Sequence, residues 1–358
     1  MGRPSFWATV ATTTAAAAIA VLVARIDHDV GFAEGDWPGA REIYDYETVR
    51  SEPVARAAKQ INGYLVDFRP IYVTSRDDPL KPVPRASFGS MPNDDGFLIL
   101  ADEQAERLRD RDPGAARFLR EMVSAREWLH GERRWCLWLM NASGEDIRGS
   151  NALRRRVERV RQHRTASNRA ATRRLAQTTH LFGEIRQPRT RYLCVPRHAG
   201  EARRIFPMGF FEPGVIASDS TITIEHADLY LFGILQSAMF TTWLRTVGGR
   251  IKNDPRFSVE AVYNTFPFPD PSAEQRAAIE TAAALVLDVR EQFPERSLAD
   301  LYDPLALPPE LARAHDTLDH RVDTCFAPRR RFSLEVERAS VLFESYASLV
   351  ADQRLAMA

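Results

Sequence analysis

Lysine is almost missing from this sequence: Lys59, Lys81 and Lys252 are the only three, so 45 of the 48 basic residues are arginine. Cysteine is as scarce. Cys136, Cys194 and Cys325 lie far apart and form no C-x-x-C pair, which excludes a disulfide framework or a zinc module and fits a reducing cytoplasm. No G-x-G-x-x-G or G-x-x-x-x-G-K-[ST] occurs, so no glycine cradle for a dinucleotide or a nucleotide phosphate is evident. H-E-x-x-H and G-x-S-x-G are missing too, which removes the common metalloprotease and serine-hydrolase readings. A metal-dependent nuclease commonly places an acid two residues before a lysine. Here Ala57, Pro79 and Arg250 hold those positions, and no metal is expected. His315, Asp316 and His320 share one helix, but the histidines stand at i, i+5 rather than on one face, so they are read as a solvated helix surface.

Long apolar runs are confined to the N-terminus. Residues 6–24 carry no charge and are flanked by Arg3 and Arg25, which admits a membrane anchor and with it a membrane-anchored interaction protein. The run is rich in alanine and threonine, which supply little transfer energy, so a buried element is preferred and no membrane partner is expected. With 358 residues and 44% apolar content the chain can bury a core and form two or three domains.

Net charge is zero, with 48 basic and 48 acidic residues, yet the charge is unevenly placed. Between Ile147 and Phe206 stand sixteen arginines and three acids, Glu158, Glu184 and Glu201, a local excess of +13 that the rest of the chain balances. Genome composition can favour arginine over lysine, but it does not remove acids from the same stretch. A concentrated positive field in a neutral protein is the pattern of a face that meets a polyanion.

The periodicities predict an α+β protein. Strands are expected at 71–74, 97–100, 135–140, 192–195 and 221–224. The run WCLWLM at 135–140 is apolar on both faces and belongs at a sheet centre. Helices are expected at 102–111, 115–123 and 151–175. The last has Ser150 as N-cap, a buried stripe of Leu153, Val157 and Val160, and nine arginines on its other faces, Arg164 among them. Beyond Pro271 the pattern is helical only, opening with a Ser272–Gln275 capping box and continuing through helices near 309 and 333, a small C-terminal bundle. Residues 266–269 (FPFP) are read as closing the preceding domain.

Seven ordered stretches resemble one family: INGYLVD, FGSMPNDDGFLIL, RRWCLWL, ASNRAATRRLAQTTHLFGEIRQP, RRIFPMGFFEPGVIASDS, GILQSAMFTTWLRTVGGRIKNDPRFSVEAVYNTFPFPDP and LADLYDPLALPPELARAH. The chain is similar in these to the target-recognition and C-terminal helical regions of MmeI-like (type IIL) adenine-specific DNA methyltransferases of restriction-modification systems. The resemblance implies a remnant of the methyltransferase core and a linker at 1–60, a mixed α/β target-recognition domain at 61–270 and a C-terminal helical domain at 271–358. It implies double-stranded DNA as partner and S-adenosylmethionine as the family's cofactor. The glycine-rich cofactor strand and the N-P-P-[YF] or D-P-P-Y element that such chemistry needs are not found. The expectation is therefore a recognition part inactive alone, from a truncated gene, a split enzyme with a separate catalytic chain or a decayed remnant; a complete methyltransferase with an unrecognised catalytic half is the alternative. Within the shared motifs Arg173, Arg174, Arg203, Arg204, Arg250 and Lys252 are expected at phosphates; Arg186, Arg189, Arg191 and Arg197, which flank the strand expected at 192–195, are expected at guanine edges.

Overall fold

The structure is a computed structural model that describes residues 19–22, 41–46, 52, 54–198, 200, 203–251 and 254–357. Lys252, the 31–39 loop and most of the 6–24 run fall outside the described residues. Of the run only strand Ile19–Leu22 is described. It pairs antiparallel with Arg41–Tyr46, which pairs in turn with Val54–Ala58.

Two four-stranded sheets organise the α+β part. One has the order Ile216–Ala217, Leu119–Val123, Arg134–Leu137, Ile99–Ala101; the other has Ala86–Phe88, Thr221–Glu225, Tyr192–Pro196, Gly209–Phe211. The apolar run at 135 does hold an interior position, with Cys136 and Leu137 fully buried, but its ladder ends at Leu137 and Met140 is 44% exposed. Tyr192–Pro196 is buried at every position, as befits a strand covered on both faces. Helices Asp102–Arg111 and Asn151–Ala166 pack on the first sheet around Leu98, Leu100, Leu108, Leu153 and Val160.

Three expectations are corrected. Residues 71–74 form no strand. Ile71 and Val73 lean on the core, and the Val73 N–H donates to Tyr64 Oη at 3.1 Å instead of to a neighbouring strand. The helix expected at 115–123 is a single turn, Pro113–Ala116, capped by Asp112 and followed by strand Leu119–Val123. Leu119 and Met122 find strand partners in Leu137 and Ile216, and tertiary pairing overrides a pattern that fits either period. The arginine-rich helix does start at Ser150, whose Oγ accepts from the Leu153 N–H at 3.0 Å, but it stops at Ala166. Ser167 takes an extended conformation and its Oγ accepts from the Arg169 N–H at 3.2 Å, a local bond that competes with the helix. A short helix, Ala170–Arg174, and a turn complete the segment.

The C-terminal region is helical as expected, with Ala273–Glu291 opening on the Ser272–Gln275 box, then Pro309–Phe326 and Glu335–Met357. These helices enclose Leu229–Gln236 and Ala238–Val247, so the main core runs without a break from Val66 through Trp243 to Tyr346 and crosses position 270. Phe266 and Phe268 are buried inside it. His315 is not on a solvated surface. It is buried and its Nε2 lies 2.9 Å from Tyr302 Oη; two helix turns on, the buried Asp323 forms a two-bond pair with Arg338. Among the described residues no helix is long and apolar enough to cross a membrane.

Candidate nucleic-acid interface

The buried strand Tyr192–Pro196 sorts the sequence-predicted base readers to its two ends. Past its C-terminal end, Arg186 and Arg197 converge on Phe88, with guanidinium carbons 5.8 and 4.7 Å from the ring centroid. Arg197 is steadied by donating Nη1 to the Asp219 carbonyl at 2.9 Å, and Arg186 pairs with Glu184. The backbone adds two groups that the sequence did not single out. His198 forms an antiparallel bridge with Arg256, and the Phe257 N–H donates to the Arg197 carbonyl at 2.8 Å.

Three guanidinium groups and an imidazole thus share one half-buried neighbourhood. Burial, then the Arg256 charge and finally the Arg186 charge push the pKa of Arg197 down, with Asp219 acting the other way. Burial and then Arg197 and Arg256 do the same to His198. The Nε atoms of Arg186, Arg197 and Arg256 and Nδ1 of His198 are buried and make no hydrogen bond. Buried donors without acceptors are costly, and mutually repelling cations add to that cost. Both are relieved by a ligand rich in acceptor oxygens or nitrogens. In sequence the only hints of Arg256 and His198 were a place in the same long motif as Arg250 and a position beside Arg197.

At the other end of the strand stand Arg189 and Arg191, with Arg191 about 20 Å from Arg197 at the usual rise of a strand. Both are exposed. Glu225 Oε1 accepts from the Arg189 N–H at 2.8 Å, the Thr190 N–H at 2.7 Å and Thr190 Oγ1 at 2.9 Å, fixing the turn that carries them. Arg191 lies 4.5 Å over the Phe210 ring and 3.8 Å from Glu212. The four expected readers are therefore two pairs, not one set.

The expected phosphate contacts also separate. Arg173 and Arg174 are exposed on the short helix after the arginine-rich one, with Arg173 Nη1 donating to the Ser167 carbonyl at 2.8 Å. Arg203 and Arg204 face the C-terminal helices instead. Arg203 Nη2 reaches the Ala299 carbonyl at 3.4 Å, and Arg204 Nη2 sits 3.5 Å from Asp316 and 3.4 Å from Asp319. Arg250 is exposed in the two-residue strand Arg250–Ile251. Tertiary structure thus supplies carboxylates that the local sequence lacks, and the field of the basic stretch is strongest where it does not.

S-adenosylmethionine needs a glycine turn at a strand end where the cofactor's backbone contacts fit. Gly89 follows a strand, but a Cβ there would stand 2.1 Å from the Ser218 carbonyl oxygen, so the protein's own backbone fills that space. Gly89 therefore does not offer that turn, and no chemical step is derived through the cofactor. Among the described residues no group of three or more histidine, cysteine, aspartate or glutamate side chains is placed to hold a metal ion.

Comparison with known proteins is specific. Residues 67–270 match the family model of the MmeI target recognition domain, and residues 271–353 match the MmeI C-terminal domain. DNA methyltransferase A of Bacillus subtilis (strain 168) is 33% identical over 317 residues, which is 88% of this chain and 35% of that protein. A solved structure of the type IIL restriction-modification enzyme MmeI in complex with DNA superposes with a TM-score of 0.82 at 37% identity, over 87% of this chain and 42% of that one. This chain thus spans between a third and a half of the relatives it matches. It belongs to the MmeI family, of which it carries the target recognition and C-terminal domains.

Proposed function

We propose that this chain reads a specific sequence in double-stranded DNA and so positions a target adenine for an S-adenosylmethionine-dependent methyltransferase unit that lies outside residues 61–358. In this reading residues 61–270 are the recognition domain, residues 271–358 brace it, and residues 1–60 lead from the catalytic unit. One observation carries the proposal: the neighbourhood of Arg186, Arg197, His198 and Arg256, in which three guanidinium Nε atoms are buried without an acceptor among mutually repelling cations. Guanine presents O6 and N7 in the major groove, the acceptor pair that a guanidinium engages with two parallel hydrogen bonds. The likeness to MmeI bound to DNA and to a DNA methyltransferase supports the same reading.

Arg186 and Arg197 are assigned to base edges, as are Arg189 and Arg191 at the other end of the strand. Arg173, Arg174, Arg250 and Lys252 are assigned to phosphates, which set register rather than sequence. Arg203 and Arg204 join them only by exchanging the Ala299, Asp316 and Asp319 contacts for phosphate oxygens.

The test uses the full chain and a pool of randomised duplexes. Bound DNA is recovered at several salt concentrations and sequenced. The expected result is enrichment of a defined sequence, with affinity falling at a log-log slope of about −0.9 per neutralised phosphate. No retained duplex in dilute salt, or retention without any sequence enrichment, overturns the proposal.

A further inference from the structure

Arg164 stands in the last turn of the arginine-rich helix, where the sequence places it on the solvated face, yet it is fully buried. Its guanidinium has five N–H donors, and each is matched by a backbone carbonyl. Nε donates to Asn93 O at 3.0 Å; Nη1 donates to Leu175 O at 3.0 Å and Thr178 O at 2.9 Å; Nη2 donates to Pro92 O at 2.9 Å and Leu181 O at 2.8 Å. Burial pushes its pKa down and Asp94 opposes that.

The five carbonyls belong to two strands of chain that lead directly to the base-reading arginines. From Pro92 the backbone runs through Met91, which exchanges hydrogen bonds with Glu184 at 2.9 and 3.0 Å, to Ser90. Ser90 Oγ accepts from the Arg186 N–H at 2.9 Å, and Ser90 O accepts from the Asp219 N–H at 3.1 Å. Asp219 O is the acceptor that holds Arg197. From Leu181 the chain continues through Gly183, whose N–H donates to Pro92 O at 3.0 Å, to Glu184 and Arg186. An apolar side chain of similar size would fill the same space, but it would give no direction to the two segments. A planar fork with five fixed donors does.

We propose that Arg164 is a positioning residue for DNA reading: its buried guanidinium fixes the 90–94 and 175–186 segments against each other and thereby sets where Arg186 and Arg197 present their donors. The inference rests on the DNA-reading function proposed above. It assigns the arginines of this helix no common role: the exposed ones act on the polyanion, and this one acts only through the backbone.

Full-length R164M and R164K are compared with the unsubstituted chain by thermal melting, by affinity for a randomised duplex pool in dilute salt, and by sequencing the bound fraction. At a temperature where each variant is folded, affinity for the pool should stay within about threefold, while the preference for the enriched base falls by about tenfold or more, the usual worth of a bidentate base contact. Lysine, with three donors and no plane, should not restore it. In R164A, which leaves room for the lost group, millimolar guanidinium chloride should bring back part of the preference without a matching rise in melting temperature. Base preference unchanged in a folded variant overturns the assignment. So does a loss of preference and of pool affinity that simply follows the folded fraction, since that is the behaviour of a structural brace. If the unsubstituted chain retains no duplex, DNA reading itself fails, and that result is separate from either outcome in the variants.

Discussion

Arg197 and Arg204 belong to one basic stretch and end in opposite surroundings. Arg197 shares its neighbourhood with Arg186 and Arg256, and its Nε has no acceptor, whereas Arg204 lies between Asp316 and Asp319. R197A is therefore expected to cost roughly 1–3 kcal/mol of discrimination at one base pair with little change in stability. R204A should instead loosen the C-terminal helices, by at most about 1 kcal/mol because the arginine is largely exposed. Denaturant titration and pool sequencing of both variants separate these outcomes; equal effects on both readouts would contradict the division. The buried residues beside Arg204 give a pH signature. Burial raises the Asp319 carboxyl to about 6 despite the Ala238 N–H and the Arg204 charge. The folded protein keeps a proton there that the unfolded chain has released, so this contribution is full in acid and is lost as pH rises from the ordinary 3.8 through about 6. His315 acts in the opposite sense. Burial, then Arg290 and Arg204, hold it well below 6.5, so its contribution is full at neutral pH and is lost as pH falls below 6.5. The two offset each other in mild acid. D319N removes one of them, and its melting temperature should drop more steeply than that of the parent between pH 6.5 and about pH 5. Parallel curves would show that Asp319 is ionised in the folded protein.

The arginine-rich helix depends on its ends as much as on its apolar stripe. Ser150 caps its first turn and also donates Oγ to Asp112 Oδ2 at 2.5 Å, and Asp112 caps the preceding turn at Pro113. One hydroxyl thus joins two helix starts. S150A should destabilise the fold by about 1 kcal/mol, the ordinary worth of a cap, or more because Asp112 loses a donor. Chemical denaturation measures this, and a cost near zero would mean that water replaces both bonds. Caps of this kind were readable in the sequence: Ser150 before Leu153 and the Ser272–Gln275 box both stand where the residue pattern put them. The far end of the same helix was not. Arg164 draws the Leu175, Thr178 and Leu181 carbonyls back onto itself, and a helix running straight to 175 would carry them away. The 115–123 segment was misread for a related reason, since an apolar pattern compatible with two periods is decided by the partner it finds, here Leu137 and Ile216.

At the level of the whole molecule, the main core joins the sheet of Tyr192–Pro196 and Thr221–Glu225 to the helices beyond Pro271, with Trp243 packed against Phe343 and Tyr346. The C-terminal helices are therefore not an independent appendage. A chain ending at Asp270 would expose the face of Phe232, Ile234 and Leu235, all buried in the intact protein. It should lose the cooperative transition that calorimetry is expected to record for the full chain, and a truncated form melting as sharply as its parent would refute the shared core. DNA binding is also a property of this scale, because only the summed field of the exposed arginines gives a steep dependence on salt. R173A should flatten the log-log slope by about one and weaken all sequences alike. Sequence alone determined the class of fold, the family and the stretch that carries the charge, because periodicity, capping and composition are local and survive in a linear reading. Only the tertiary structure decided which arginines remain available. Whether a guanidinium meets a carboxylate, a carbonyl or no acceptor depends on residues far along the chain, such as Asp319 for Arg204, Pro92 for Arg164 and Arg256 for Arg197, and that distance is closed by folding.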